Sequence, residues 1–145
     1  MRILGIDYGD RKIGLAVSDL LGITAQPLAS YRRQSEKEDK KYFKALIAEH
    51  EITKIVLGLP LRMDGSSGTR AEKTREFAHW LEGFLNLPVL FWDERLTTKQ
   101  ANRILGQRRL APKTKKDIED QVSAVIILAT YLESIRTKPD AGQNR

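Results

Sequence analysis

The sequence predicts an α/β domain in which one mixed, five-stranded sheet carries helices on both faces. Three observations predict it. Three β-rich runs lead the chain, the apolar spacing changes to a helical period after residue 34, and strand-like and helical stretches then alternate. The resulting order is β-β-β-α-β-α-β-α-α. Leading strands joined by hairpins pair antiparallel, whereas strands separated by helices pair parallel, so the sheet is mixed.

The elements follow in order. Residues Arg2–Asp7 and Lys12–Ser18 are short apolar runs, joined by the turn residues Tyr8, Gly9, Asp10 and Arg11 into a hairpin. A third extended run covers Ile23–Tyr31, where Pro27 suggests a bulge or an edge strand. Ser35 with Glu38 forms a capping box ahead of the helical stripe Tyr42, Phe43, Leu46 and Ile47. Ile55–Leu59 is a buried strand that stops at Pro60. Thr69 with Glu72 would cap a second helix, whose inner face is Thr74, Phe77, Ala78, Leu81 and Leu85. Val89–Trp92 is the fifth strand. Thr97 with Gln100 would cap a short helix ending near Gly106, and a last helix runs from about Lys115 to Arg136, apolar on more than one side between Ala124 and Ala129. Residues 1–137 are expected to form one domain and 138–145 a flexible polar tail.

The 145 residues carry a net charge of +6, which favours a polyanionic partner, nucleic acid before membrane. The absence of cysteine excludes disulfides, thiolate zinc sites and cysteine nucleophiles, and suits a reducing compartment. The apolar start meets Asp7 too early for a signal peptide, and no apolar run approaches the roughly 18 residues of a membrane helix. A soluble, cytoplasmic protein is expected.

Carboxylates mark the candidate site. Asp7 ends one apolar strand, and Asp93 and Glu94 end another. Ligands of open α/β sheets lie beyond the carboxyl ends of strands. Asp117, Glu119 and Asp120 open the last helix, where the helix dipole alone would stabilise them. Asp117 and Asp120 share a face, and the apolar residues after Asp120 draw its turn toward the sheet. Carboxylates converging from two strands and a helix would suit one or two Mg²⁺ or Mn²⁺ ions, which take oxygen ligands. Such a site hydrolyses phosphodiesters without a nucleophilic side chain. The two histidines, His50 and His79, fall in helices as surface or boundary residues, which argues against paired-histidine chemistry.

Between Glu94 and Asp117 no residue is acidic, while Arg95, Lys99, Arg103, Arg108, Arg109, Lys113, Lys115 and Lys116 are basic. Elsewhere the chain mixes signs, as in Glu36, Lys37, Glu38, Asp39, Lys40 and Lys41. A one-signed segment bracketed by candidate metal ligands is expected to hold a nucleic-acid backbone rather than read bases. The loop from Gly58 to Ser66 also lies beyond a strand end and is a second place for substrate contact.

Ile6-Asp7-Tyr8-Gly9 followed by Ile13-Gly14-Leu15-Ala16-Val17-Ser18 resembles the opening of the YqgF (RuvX) family of pre-16S rRNA nucleases, also described as Holliday junction resolvase-like. The likeness continues through Val56–Leu61, Met63-Asp64-Gly65, Asp93–Thr98, and Asp120 with Ser123–Leu128. These blocks keep the family's order across nearly the whole chain. The resemblance implies a ribonuclease H-like fold and an acidic, metal-binding triad at Asp7, Glu94 and Asp120, choosing Glu94 over Asp93 and Asp120 over Asp117. It implies processing of the 5′ end of precursor 16S ribosomal RNA, with RNA favoured over DNA and a ribosomal precursor particle as a partner. The oligomeric state is open: a monomer would suit RNA trimming and a homodimer a symmetric junction.

Three other readings compete. One is a resolvase-like DNA endonuclease. Another is an actin-like ATPase or sugar kinase, which share the Asp-x-Gly turn but need two such domains. The last is a nucleic-acid-binding or assembly factor without turnover, separated from an enzyme by metal titration.

Overall fold

Strand β1 (Arg2–Asp7) lies at the centre of the sheet in the computed structural model, which describes the backbone of residues 1–97 and 115–137 and the side chains of residues 1–96 and 121–136. Around it stand β2 (Lys12–Ser18), β3 (Ala25–Arg32), β4 (Ile52–Leu59) and β5 (Val89–Asp93), in the order β3-β2-β1-β4-β5. The leading strands pair antiparallel, with Ile6 opposite Leu15, while β1, β4 and β5 run parallel. The sheet is mixed as expected. Its crossovers are α1 (Glu36–His50) and α2 (Thr69–Leu85), and a 3₁₀ turn over Glu94–Thr97 leads toward α3 (Lys115–Thr137). The expected short helix between Thr97 and Gly106 lies outside the described residues, as does the tail after residue 137.

Pro27 has both of its expected settings. It sits on the edge strand β3, and the register shifts there, Leu15 facing Ala29 and Ala16 facing Pro27, so Leu28 is the extra residue of a bulge. Ser35 caps α1 as predicted, its hydroxyl accepting from the Glu38 N–H at 3.1 Å. At α2 the expectation is corrected by one residue. The N-cap is Gly68, without a side-chain cap, and Thr69 is already helical. The Arg62 guanidinium packs against Gly68, 3.1 Å from where a Cβ would stand, so a side chain there would need the guanidinium to shift slightly.

Strand alternation divides the core into two layers. Leu4, Ile6, Ile55 and Leu57 face α1 and α2, packing on Phe43, Leu46, Phe77 and Leu81. Ile3, Val56, Leu90 and Trp92 face α3, packing against Ala124, Ile127, Leu128 and Tyr131. Strand β4 is buried on both faces, which explains its unbroken apolar run. Helix α3 shows no exposed residue from Gln121 to Ile135, as its apolar breadth predicted.

Helix α3 runs antiparallel to β4. Lys54, early in the strand, donates to the Tyr131 hydroxyl at 3.3 Å, whereas Gly58, near its end, lies beneath Ile127. The start of α3 therefore stands over the carboxyl ends of β1, β4 and β5.

Candidate active site

Three parallel strands end on one side of the sheet, and two of them deliver acids there. Asp7 closes β1 on the same face as Ile3 and Gly5, the face covered by α3. Glu94 continues the series Leu90 and Trp92, which packs on α3 as well. Strand β4 separates the two acids, and the residue at the crossing is Gly58, which pairs with Trp92. A Cβ there would stand 2.9 Å from Glu94 Oε2 and 2.5 Å from Ile127 Cδ1. The missing side chain is what lets the Glu94 carboxylate lie across β4 toward Asp7.

The electrostatics follow from that placement. Burial pushes the Glu94 carboxyl up to about 7, and the negative charge of Asp7 pushes the same way. The Arg70 guanidinium, at the start of α2, opposes them. Asp93 has the opposite fate. It is chelated by Arg95, with Nη2 2.6 Å and Nε 3.0 Å from Oδ2, and it accepts from the Arg95 backbone N–H at 2.9 Å. These bonds hold its carboxyl below the ordinary range. The alternative that the strand end left open is thereby separated: Asp93 pairs with Arg95, and Glu94 is the acid beside Asp7.

Asp120 is placed by its backbone. The Ala124 carbonyl and Leu128 Cβ lie 3.2 and 2.7 Å from where a Gly5 Cβ would be, so α3 rests directly on β1 at Gly5. Position 120 is one helical turn before Ala124, about 6 Å along the axis. Asp7 is two strand residues beyond Gly5, about 7 Å. The two positions are level, and position 117 lies nearly a turn farther on. The side chains of Asp117 and Asp120, like those of Lys115 and Lys116, are outside the described residues. Among the described residues, no group of three or more histidines and acids forms a metal-ligating cluster. The donor set of Asp7 and Glu94 nevertheless fits a hard divalent cation: two oxygen acids share a partly buried place, and their mutual repulsion is what a cation relieves.

Known proteins resemble this chain over most of its length. A family model described as "RuvX: Holliday junction resolvase" matches residues 1–134. The chain belongs to the RuvX family. A Halothermothrix orenii protein named "Putative pre-16S rRNA nuclease" is 48% identical over 132 residues, 91% of this chain and 94% of that one. A Koribacter versatilis protein of the same name is also 48% identical, over 91% of this chain and 86% of its own. Among solved structures, T. thermophilus RuvC bound to a Holliday junction substrate matches with a TM-score of 0.65 at 16% identity, covering 95% and 96% of the two chains. The fowlpox virus resolvase with junction DNA matches at 0.59 and 15% identity, covering 93% and 99%. At such identities the likeness is one of fold, the ribonuclease H-like architecture.

In this RuvX-family chain the basic segment is described only at its start. Arg95 is committed to Asp93 and also donates from Nη1 to the Met63 carbonyl at 3.2 Å, which ties the loop after β4 to the end of β5. Lys99, Arg103, Arg108, Arg109 and Lys113 lie outside the described residues. The loop itself is ordered by Asp64, which accepts from the Ser66 N–H and hydroxyl at 2.9 and 2.7 Å. Neither histidine is at the site: His50 ends α1 beside Glu49, and His79 is exposed on α2. Sequence reasoning missed Gly5 and Arg70, and took Gly58 only as the start of a substrate-contact loop. A glycine inside an apolar strand run is the signal that could have found the role of Gly5 and Gly58, because it marks close approach by another group.

Proposed function

We propose that this chain is a divalent-metal-dependent nuclease that hydrolyses phosphodiester bonds in structured RNA, acting in the cytoplasm on the 5′ end of precursor 16S ribosomal RNA. The names of its 48%-identical relatives support the substrate. The single observation that carries the chemistry is the Glu94 carboxylate lying across Gly58 beside Asp7, where burial and repulsion hold its proton to about pH 7.

Asp7, Glu94 and Asp120 would hold Mg²⁺ or Mn²⁺. When bound, the cation supplies charge neutralisation at the scissile phosphate and makes a water more acidic. The chain's own residues do the rest. Asp7 and Glu94 present anionic oxygens at a fixed separation set by three strands. Arg70 lies within the field of this pair and offers a guanidinium to an incoming phosphate. Arg95, locked on Asp93, holds the loop after β4 beside the site, and the basic residues from Lys99 to Lys116 would contact the nucleic-acid backbone.

The test is cleavage of precursor 16S rRNA beside a four-way DNA junction, by wild type and Asp7→Asn, in Mg²⁺ and in Mn²⁺. Metal-dependent trimming of the RNA that vanishes in Asp7→Asn is the expected result. Cutting of the junction alone would make the chain a resolvase. Binding of either substrate without hydrolysis in any metal would make it an assembly factor and refute the nuclease reading.

A further inference from the structure

The opposite face of β1 carries an open cavity. Tyr8 follows Asp7 and therefore points to the α1 and α2 side, where it packs on Phe77 with ring centroids 4.6 Å apart. Between the β1–β2 turn, the start of α1 and the middle of α2 lies a cavity of about 370 Å³. That volume falls within the roughly 300–1,000 Å³ of small-molecule sites. Its walls are Tyr8, Asp10, Arg33, Glu76, Phe77 and Trp80, with Lys73 at the mouth.

The cavity is built rather than incidental. Arg33 stacks over the Tyr8 and Phe77 rings at 5.4 and 5.6 Å and donates to the Tyr8 hydroxyl at 2.8 Å. Asp39, 2% exposed, holds Arg33 at 3.5 Å and accepts from the Tyr31 hydroxyl at 2.7 Å and the Gln34 N–H at 2.9 Å. Trp80, partly exposed, closes one side. Lys73 is paired with Asp10 at 3.5 Å, whereas Glu76 makes no ion pair or side-chain hydrogen bond among the described residues. A smaller crevice of about 90 Å³, lined by Tyr8, Gly9, Asp10, Arg70 and Lys73, adjoins it and leads toward the Asp7 and Glu94 side, where Arg70 acts on Glu94.

From this we infer that the cavity is a base-recognition subsite, receiving an unpaired guanine of the substrate strand next to the scissile phosphate. The inference rests on the nuclease reading above. Four acids line the cavity, and three are paired, Asp39 with Arg33, Asp10 with Lys73 and Glu36 with Lys40, so the Glu76 carboxylate disfavours a phosphate there and favours a neutral group rich in donors. Guanine has an aromatic face for the ring-lined walls and adjacent N–H donors on one edge, which match the acceptor-only carboxylate of Glu76. Arg70 and Lys73, three apart on α2, stand where the connecting phosphates would run.

The test uses the full chain in EDTA, with tryptophan fluorescence reporting on Trp80 and anisotropy on total binding. The probes are short single-stranded oligouridylates carrying one guanosine, one inosine or one abasic residue. The guanosine oligomer should change the fluorescence of wild type and Trp92→Phe but not of Trp80→Phe. Glu76→Gln, on an exposed side chain, should weaken guanosine binding about tenfold and erase the preference over inosine. Equal binding of guanosine and abasic oligomers overturns the subsite. So does a Trp80 response to an arginine-rich peptide but not to the oligomers, since a protein partner would then own the cavity. Metal-dependent cleavage is measured in parallel. A chain that cleaves while Trp80 ignores guanine refutes the subsite alone, and one that seats guanine but never cleaves refutes the nuclease reading alone.

Discussion

Replacing Glu94 by glutamine should stabilise the metal-free protein at pH 8. The carboxyl ordinarily titrates near 4.5 and here is pushed up to about 7 by burial and by Asp7. A folded-state value above the unfolded one means that stability is full below pH 4.5 and is lost as pH rises through 7. Complete conversion of that displacement is about 3 kcal/mol. The side chain is only partly buried and Arg70 offsets some of the repulsion, so solvent screening reduces the expected loss to about 1–2 kcal/mol. Glutamine keeps the shape of the protonated acid without the charge. Thermal unfolding in EDTA should therefore give coincident Tm values for wild type and Glu94→Gln at pH 4.5. At pH 8 the variant should melt about 3–6 °C higher. Mg²⁺ should narrow the gap by binding folded wild type alone, and the stabilised variant should not cleave. A variant no more stable than wild type at pH 8, or offset equally at both pH values, refutes the placement of Glu94 beside Asp7.

Other expectations follow from the same geometry. Asp7→Asn removes the neighbouring charge, so the pH at which wild-type stability falls should move toward acid, read from Tm against pH in EDTA. Gly5→Ala meets the Ala124 carbonyl and Leu128 Cβ, which belong to the body of α3, and should cost about 1–3 kcal/mol or more in urea unfolding. Gly58→Ala meets Ile127 Cδ1 and the Glu94 carboxylate, both ends of flexible side chains. It should cost about 1 kcal/mol in stability but reduce cleavage more than about tenfold by displacing Glu94. Asp39→Ala strands Arg33, the Tyr31 hydroxyl and the Gln34 N–H around a buried gap and should cost about 2–4 kcal/mol in urea unfolding.

Much of this molecule was legible in the chain itself. The capping pair Ser35 and Glu38, the helical stripes, and Pro27 on an edge strand are local signals, set by backbone sterics and by the nearest few residues. The family blocks likewise implied Asp7, Glu94 and Asp120 as a set, of which the described side chains bring Asp7 and Glu94 together. Tertiary structure decided the rest. Asp93 and Glu94 are equivalent as adjacent acids at a strand end, and only the side on which α3 packs turns one toward Asp7 and the other toward Arg95. Gly58 reads as a weak spot in a strand until two side chains from distant segments are seen to occupy its missing volume. Arg95 reads as a free cation in a basic run, yet its charge is spent on Asp93. The cavity behind Tyr8 has no sequence signature, because its walls come from a hairpin turn and two helices that meet only when the sheet forms. Local preferences are written in neighbouring residues, whereas proximity between distant ones exists only after packing.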